Sequence, residues 1–296
     1  MNMNLSYSVY KPEGDVKAVV FVVHGMQEHK NRYAELAEYL KARNIAVVTY
    51  DLPGHGETTC TEAKGYFGKE DGWGTLVSSA KEIAQFCRLT FPQKPLVFLG
   101  HSMGTMIART FLQKNDTYID GMILSGAPSY TPAAKLGKAI ASFYAKRKGE
   151  LAYEKKLTAL AVGGFARSIK DAKTPIDWLS YNEENVKQYF EDPNCGFDFT
   201  TKGYYDLFDG MIRMNDVSQY QCHNPNLPIY FFAGKDDPCI GGEKGFQASI
   251  NTLKKAGYTH IDEKLYAHMR HETMHEDNRE MVFEDVYQWI VKNMLK

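Results

Sequence analysis

The sequence lacks an apolar run long enough to cross a membrane. The longest uninterrupted run near the N-terminus, Ala18 to Val23, has about a third of the roughly 20 residues that a spanning helix needs. The first residues, MNMNLSYSVYKPEG, have neither the basic start nor the apolar stretch of a secretion signal. We therefore expect no transmembrane segment and a cytoplasmic location.

The sequence also lacks a strong net charge. Its 35 Lys and Arg residues nearly balance 36 Asp and Glu residues, which gives a formal charge of -1. Proteins that bind nucleic acid through a general electrostatic field are usually strongly basic. We therefore expect no nucleic-acid partner.

Cysteines are few and show no metal-binding or disulfide spacing. The five are Cys60, Cys87, Cys195, Cys222 and Cys239. Their number is odd and no C-x-x-C pair occurs, so neither a disulfide framework nor a zinc knuckle is indicated. We expect reduced thiols.

Short apolar runs separated by amphipathic helical segments are what the sequence does contain. Such runs are typical of a mostly parallel sheet that is buried on both faces. The predicted strands are Ala18 to Val23, Ile45 to Tyr50, Leu96 to Leu99, Gly121 to Leu124, Ile229 to Ala233 and the more polar His260 to Tyr266. Helical patterns at Arg32 to Arg43 and Leu76 to Leu89 lie between them. This alternation predicts an α/β fold.

The sequence also predicts a closing helix. After Asp277 or Asn278 as N-cap, its apolar stripe consists of Met281, Val282, Val286, Trp289 and Ile290.

One interval between predicted strands is much longer than a crossover needs. About 100 residues separate the strand ending near Leu124 from the one starting near residue 227, whereas a crossover takes about a dozen. The interval is helical in pattern and rich in aromatic residues. We predict that residues 129–220 form a helical cap over the carboxyl edge of the sheet. Residues 1–128 and 221–296 would then form the core.

Gly100-His101-Ser102-Met103-Gly104 matches the G-x-S-x-G pattern of a nucleophile elbow. The apolar strand before it and the amphipathic helix after it provide the strand-turn-helix setting that the motif requires. In that setting, the Ser102 hydroxyl would project above the sheet at the N-terminus of a helix. Ser102 is therefore the candidate nucleophile.

A competing motif, His271-Glu272-Thr273-Met274-His275, matches the H-E-x-x-H pattern of zinc peptidases. A zincin needs this pentad on a stable helix together with a third ligand. The preceding residues have the pattern of a strand and loop, and Asn278 and Met281 occupy the positions where the longer motif needs glycine and histidine. We therefore expect no catalytic zinc.

A serine nucleophile needs a histidine base and an acid, which follow it in this order of the chain: serine, acid, histidine. Asp236 and Asp237 follow the predicted strand that ends at Ala233, and one of them would be the acid. The last predicted strand leads into residues 267–272, which supply the histidine. Backbone N–H groups of Met26 and Met103 are the expected oxyanion donors.

Together these motifs resemble the α/β-hydrolases of the monoacylglycerol lipase and lysophospholipase group, which are sometimes grouped with serine aminopeptidases. The resemblance spans nearly the whole chain. Its motifs are HGMQEH, RY at Arg32, DLPGHGET from Asp51, DGW from Asp71, GHSMG, DPNCGF from Asp192, GKDDP and RHE from Arg270. The resemblance implies that Asp237 is the acid and His271 the base, rather than Asp236, His268 or His275.

The resemblance also implies a serine esterase or lipase that acts on monoacylglycerols, lysophospholipids or simpler carboxylic esters without a metal or organic cofactor. The aromatic cap favours an apolar pocket and an acyl or lipid substrate. An apolar rim on the cap would allow transient contact with a membrane surface.

Besides the zinc peptidase, which would need stoichiometric metal, two alternatives stay open. A serine aminopeptidase using the same triad would need an acidic or polar subsite, for which Glu183, Glu184 and Asp192 are candidates. A non-catalytic binding protein on the same scaffold is the other.

Overall fold

The fold is described from a computed structural model that covers residues 4–58, 62–170 and 172–295. Seven strands form one sheet. They are β1 (Tyr7–Tyr10), β2 (Ala18–Val23), β3 (Ile45–Tyr50), β4 (Leu96–His101), β5 (Gly121–Ser125), β6 (Ile229–Gly234) and β7 (Ile261–Tyr266). The strand order is β1-β3-β2-β4-β5-β6-β7; β1 runs antiparallel to β3, and every other pair is parallel. The predicted α/β fold with a mostly parallel sheet is confirmed.

The α-helices of the described residues cover both faces of the sheet and the interval between β5 and β6. They are α1 (Ala34–Lys41), α2 (Gly72–Thr90), α3 (Met103–Asn115), α4 (Ala133–Lys148), α5 (Lys155–Ala161), α6 (Gly163–Ser168), α7 (Glu183–Glu191), α8 (Thr201–Arg213), α9 (Gly242–Lys255) and α10 (Arg279–Met294). Helices α4 to α8 all fall in the long interval, which is helical as predicted. The bounds of a separate cap at 129 and 220 stay a prediction.

The strands are apolar on both sides because each side packs on a different set of helices. Along β2, Val19, Phe21 and Val23 face the core formed with α2, α3 and α9. Ala18, Val20 and Val22 face the opposite core, formed with α1 and α10. A fully buried aliphatic or aromatic side chain contributes about 1.5–3 kcal/mol, so the central strands hold both layers together.

Strand β1 was not predicted. It has only four residues, lies at the edge of the sheet and alternates between exposed and half-buried positions, so it has no continuous apolar run. Helix α2 begins at Gly72, four residues before the predicted Leu76, because the Asp71 side chain accepts a hydrogen bond from the Gly74 N–H at 3.0 Å.

The C-terminal helix differs from the prediction at one residue. The predicted closing helix is α10, with Asn278 at its N-cap, but Met281 is 48% exposed and does not belong to the buried stripe.

The cysteines at positions 87, 195, 222 and 239 are free thiols, as expected. Cys60 lies outside the described residues. Within those residues, every helix is too short or too polar to span a bilayer.

Candidate active site

Ser102 lies in a strained turn between β4 and α3. Its backbone has φ 51° and ψ −117°, a combination that non-glycine residues rarely adopt. Its N–H donates to the Ser125 carbonyl at 3.0 Å. The neighbouring glycines are required by close backbone approach, because a Cβ at Gly104 would lie 2.1 Å from the Val23 carbonyl oxygen, and one at Gly100 would lie 2.7 Å from the Gly104 carbonyl oxygen. The structure therefore has the geometry of the nucleophile elbow.

Asp237 and His271 come together from the loops that follow β6 and β7. The His271 Nδ1 atom lies 2.9 Å from Asp237 Oδ2, and both side chains are buried. The other oxygen, Asp237 Oδ1, accepts the Cys239 N–H at 2.8 Å, which fixes the carboxylate. Burial by itself would lower the pKa of His271, but the Asp237 carboxylate outweighs burial and raises it above 6.5.

The residues that compete with this pair for the same roles lie elsewhere. Asp236 accepts a hydrogen bond from the Tyr181 hydroxyl at 3.1 Å. His268 is exposed, and the ring of His275 packs at 6.0 Å from the Tyr33 ring. The pKa of His275 is lowered to about 4, chiefly by burial and then by the Arg32 charge, so His275 is neutral near pH 7.

Ser102 and His271 line one cavity at the carboxyl edge of the sheet. The cavity has about 730 Å³ of empty space, part of which is open to solvent, and most of its wall is apolar. Its apolar lining comes from both the core and the helical interval: Met26, Met103, Met106, Pro128, Ala161, Val162, Phe165, Trp178, Leu179, Leu207, Phe208 and Met211. In the described structure, the Ser102 hydroxyl has no hydrogen bond to the His271 ring. Such contacts are often long without substrate and shorten in the complex.

The loop after β2 brings the expected oxyanion donor to the same cavity. Met26 and Met103 both line it, and neither backbone N–H donates a hydrogen bond to another atom of the described chain. The Glu28 carboxylate shapes this loop, because it accepts hydrogen bonds from the Gly25 N–H and, at 2.8 Å, from the Tyr33 hydroxyl. The two amides are therefore available to an oxygen atom held above Ser102.

Sequence reasoning missed a buried ionic network behind the cavity. The Arg32 guanidinium donates to Glu28 at 2.9 Å, to Glu272 Oε2 at 2.9 Å and to Asn185 of α7 at 2.8 Å. Asn185 also donates to Glu272 at 2.7 Å. Burial would raise the pKa of both carboxyl groups, but the Arg32 charge together with the nearby His101 ring and other neighbours outweighs burial and lowers both.

The network joins three parts of the site. Glu28 belongs to the loop after β2, Glu272 follows His271, and Asn185 comes from the helical interval. The RY and RHE motifs marked Arg32 and Glu272 in the sequence, but 240 positions separate the two. No local pattern indicates their pairing.

The H-E-x-x-H pentad does not have the geometry of a zincin. Residues 273–275 form a short 3₁₀ turn rather than part of an α-helix. His271 pairs with Asp237, Glu272 pairs with Arg32, and His275 faces Tyr33. The two histidines therefore do not share a helix face on which they could bind one ion.

The acidic residues considered for an aminopeptidase subsite do not line the Ser102 cavity. Glu184 borders two other surface cavities, one of which Glu183 shares. Asp192 pairs with His29 at 2.8 Å. The carboxylates that do line the cavity, Glu28 and Glu272, are both bound to Arg32.

The chain is similar in sequence to a peptidase family and to known lipases. The sequence profile described as serine aminopeptidase, S33, matches residues 14–278. The monoglyceride lipase of Mus musculus is 34% identical over 115 residues, which is 39% of this chain and only 36% of the mouse protein. The monoacylglycerol lipase of Mycolicibacterium smegmatis is 24% identical over 99% of this chain and 94% of its own length.

Among solved structures, a thermostable carboxyl esterase from Bacillus coagulans superposes with a TM-score of 0.90 at 25% identity. The superposition covers 99% of this chain and 95% of the esterase. The fold is thus that of the α/β-hydrolases, and the resemblance predicted from the motifs is confirmed. With the profile match over most of its length, this chain belongs to the serine aminopeptidase S33 family.

Proposed function

We propose that this protein is a serine esterase that hydrolyses carboxylic esters with a sizeable acyl chain. One observation carries the proposal: the His271 ring, bonded to Asp237 at 2.9 Å, lines the same apolar cavity as Ser102 in its strained turn. This juxtaposition supports Ser102 as the nucleophile and His271 as its base.

In the proposed reaction, the Ser102 Oγ atom attacks the ester carbonyl while His271 Nε2 accepts the hydroxyl proton. Asp237 holds Nδ1–H and stabilises the imidazolium that forms. The N–H groups of Met26 and Met103 bind the oxyanion, and each such donor is worth roughly 10²–10³-fold in turnover. His271 then passes its proton to the leaving alcohol, and water releases the acid from Ser102 by the same steps.

The apolar lining supports an acyl substrate. Methionine and aromatic side chains surround the cavity, and a hydrocarbon chain placed there loses contact with water. Relatives named monoacylglycerol lipase and phospholipase support a substrate with a glycerol or lysophospholipid headgroup. An aminopeptidase has less support, because the carboxylates that line the cavity, Glu28 and Glu272, are already engaged in ion pairs with Arg32.

A substrate panel tests the proposal. Esters of one alcohol with acyl chains of graded length are assayed beside monoacylglycerols, lysophospholipids and aminoacyl amides. We expect kcat/KM to rise with acyl length until the cavity is filled, and aminoacyl amides to be poor substrates. Faster cleavage of aminoacyl amides would favour the aminopeptidase. No turnover together with no fluorophosphonate labelling at Ser102 would favour a binding protein.

We also propose that helices α4 and α5 contact an anionic lipid surface. Leu136 and Phe143 on α4 are 64% and 57% exposed, and Leu160 on α5 is 45% exposed. Helix α4 has no acidic residue and five basic ones: Lys135, Lys138, Lys146, Arg147 and Lys148. The surface at these helices is therefore basic and apolar, although the net charge of the whole chain is close to zero. Ala161 at the end of α5 lines the Ser102 cavity, so this face lies next to the substrate site.

The number of available basic residues sets the expected preference for anionic over neutral lipid vesicles. Lys138 and Lys148 are paired with Asp209 and Glu154, so Lys135, Lys146 and Arg147 are the cations most available to lipid headgroups. Each basic residue near an anionic membrane surface is worth about 1 kcal/mol, and three would give roughly a hundredfold preference. We expect co-sedimentation with phosphatidylglycerol vesicles to exceed that with phosphatidylcholine vesicles by this order.

Phe143→Ser is expected to weaken vesicle binding several-fold. Leu89→Ser is the matched control, because Leu89 is also an exposed apolar residue but lies on α2. Equal binding to both vesicle types, or equal loss in both variants, would exclude this surface.

A further inference from the structure

Three side chains with metal-binding atoms meet outside the Ser102 cavity. They are His29 from the loop after β2, and Asp192 and Cys195 from the turn after α7. His29 Nε2 lies 2.8 Å from Asp192 Oδ2, and the ligand atoms of all three residues lie within 4.8 Å of one another. The sequence predicted no metal site, because His29 is more than 160 positions from the other two.

The turn after α7 holds the side chains of Asp192 and Cys195 in one orientation. The Cys195 N–H donates to the Asp192 carbonyl at 2.9 Å, so the side chains at the first and fourth positions of the turn approach each other. The Asn194 N–H donates to Asp192 Oδ1 at 2.8 Å, which leaves Oδ2 facing His29. This D-x-x-C turn presents its ligands in the way that the C-x-x-C turns of zinc sites do.

The loop that carries His29 is held next to this turn by hydrogen bonds. The Gly196 N–H donates to the Gln27 carbonyl at 2.9 Å, which joins the turn to the loop that carries His29. The Tyr189 hydroxyl donates to the same carbonyl at 2.9 Å. A metal ion would therefore meet ligands from two segments that are already held together.

Distances and access suit a small ion. Metal–ligand bonds of about 2.0–2.3 Å in a tetrahedron put the ligand atoms roughly 3.3–3.8 Å apart, so shifts within about 1 Å are enough. All three residues border an open cavity of about 940 Å³ of empty space, through which an ion and a water molecule can enter. The water would complete the coordination.

The donor set indicates the class of ion. One imidazole nitrogen, one carboxylate oxygen and one sulfur suit a borderline divalent ion such as Zn²⁺, whereas Mg²⁺ and Ca²⁺ prefer oxygen ligands alone. The carboxylate and thiolate together balance the charge of the ion. The nearby Arg32 cation is already neutralised by Glu28 and Glu272, which limits its repulsion of the ion.

We propose that His29, Asp192 and Cys195 form a binding site for a divalent ion of the Zn²⁺ class. On binding, a sulfur–metal bond replaces the Cys195 S–H bond and the thiol proton passes to solvent. The Nε2 proton that His29 directs at Asp192 without the ion also leaves Nε2, and the ring binds in its neutral form through Nε2 with its one proton on Nδ1. The ion would tie the turn after α7 to the loop that carries Met26.

Cobalt provides the direct test. Metal-free protein is titrated with Co²⁺, and we expect a sulfur-to-cobalt charge-transfer band with a stoichiometry of one. Zn²⁺ should displace the cobalt and raise the unfolding temperature, because it binds the folded chain. Absence of the band at excess Co²⁺ would overturn the proposal. The measurement does not depend on turnover, so it is repeated in Ser102→Ala with the same expected result.

Variants locate the ion. Cys195→Ser should abolish the charge-transfer band, and Asp192→Asn should weaken cobalt binding at least about tenfold. Cys222→Ser is the matched control, since Cys222 is a free thiol outside the cluster. Cys239→Ser tests the only other such group among the described residues, formed by Asp237, Cys239 and His271. Loss of the band in Cys239→Ser with retention in Cys195→Ser would place the ion in the active site and refute the proposal.

Discussion

Replacing Ser102 with alanine is expected to lower kcat for ester hydrolysis by roughly 10⁴- to 10⁶-fold while leaving the fold unchanged. The reason is that no other hydroxyl occupies the strained turn at the N-terminus of α3, so the covalent route is lost. Alanine keeps the Cβ of serine and is smaller, so the turn at position 102 should form as before. Steady-state kinetics on the best ester of the panel measure the effect, and circular dichroism checks the fold.

Ser249→Ala is the matched control for this variant. Ser249 is a buried serine on α9 whose hydroxyl has no hydrogen-bond partner in the described structure, so its removal should leave turnover within about twofold of the original. Turnover in Ser102→Ala that stays within tenfold of the original protein would exclude Ser102 as the nucleophile. Labelling by a fluorophosphonate should fail in Ser102→Ala and persist in Ser249→Ala.

Replacing Asp237 with asparagine is expected to lower kcat roughly 10⁴-fold. The carboxylate holds His271 with its proton on Nδ1, so that Nε2 is free to accept the serine proton. An amide at this position can donate to Nδ1 and stabilise the opposite tautomer. Asp236→Asn is the matched control, because Asp236 contacts Tyr181 rather than His271. An equal loss in both variants would contradict the assignment of Asp237.

The pH profile of the unmodified protein gives an independent measure of the same contact. His271 acts as a base only when neutral, and Asp237 raises its pKa above 6.5. We therefore expect kcat/KM to increase with pH through a midpoint above 6.5. In Asp237→Asn, the raising charge is gone and burial, which lowers the pKa, is still present. The residual activity should then have its midpoint at lower pH.

The sequence was most informative where a pattern is local. Strands β2 and β3 have the predicted bounds because a strand buried on both faces is a continuous apolar run. The elbow could be recognised because G-x-S-x-G needs only five residues and its two flanking elements. Strand β1 escaped detection because a short edge strand has no such run, and Met281 was assigned to a buried stripe that begins one residue later, at Val282.

Contacts between distant segments could not be predicted in the same way. The choice between Asp236 and Asp237 depended on the family resemblance, since both follow the same strand. In the structure, only Asp237 contacts the His271 ring. Likewise, the Arg32 network and the His29 cluster each join residues of the β2 loop to residues far along the chain, and only folding brings them together.

The position of Asn185 has a consequence for recombining this protein with its relatives. A chimera that exchanges the whole segment between β5 and β6 would keep Arg32, Glu28 and Glu272 in the recipient but take residue 185 from the donor. Unless the donor helix supplies an amide at that place, Arg32 and Glu272 both lose a buried hydrogen-bonding partner. Segment exchange intended to change substrate preference should therefore transfer or restore this asparagine, or reduced stability will be mistaken for a failure of the new pocket.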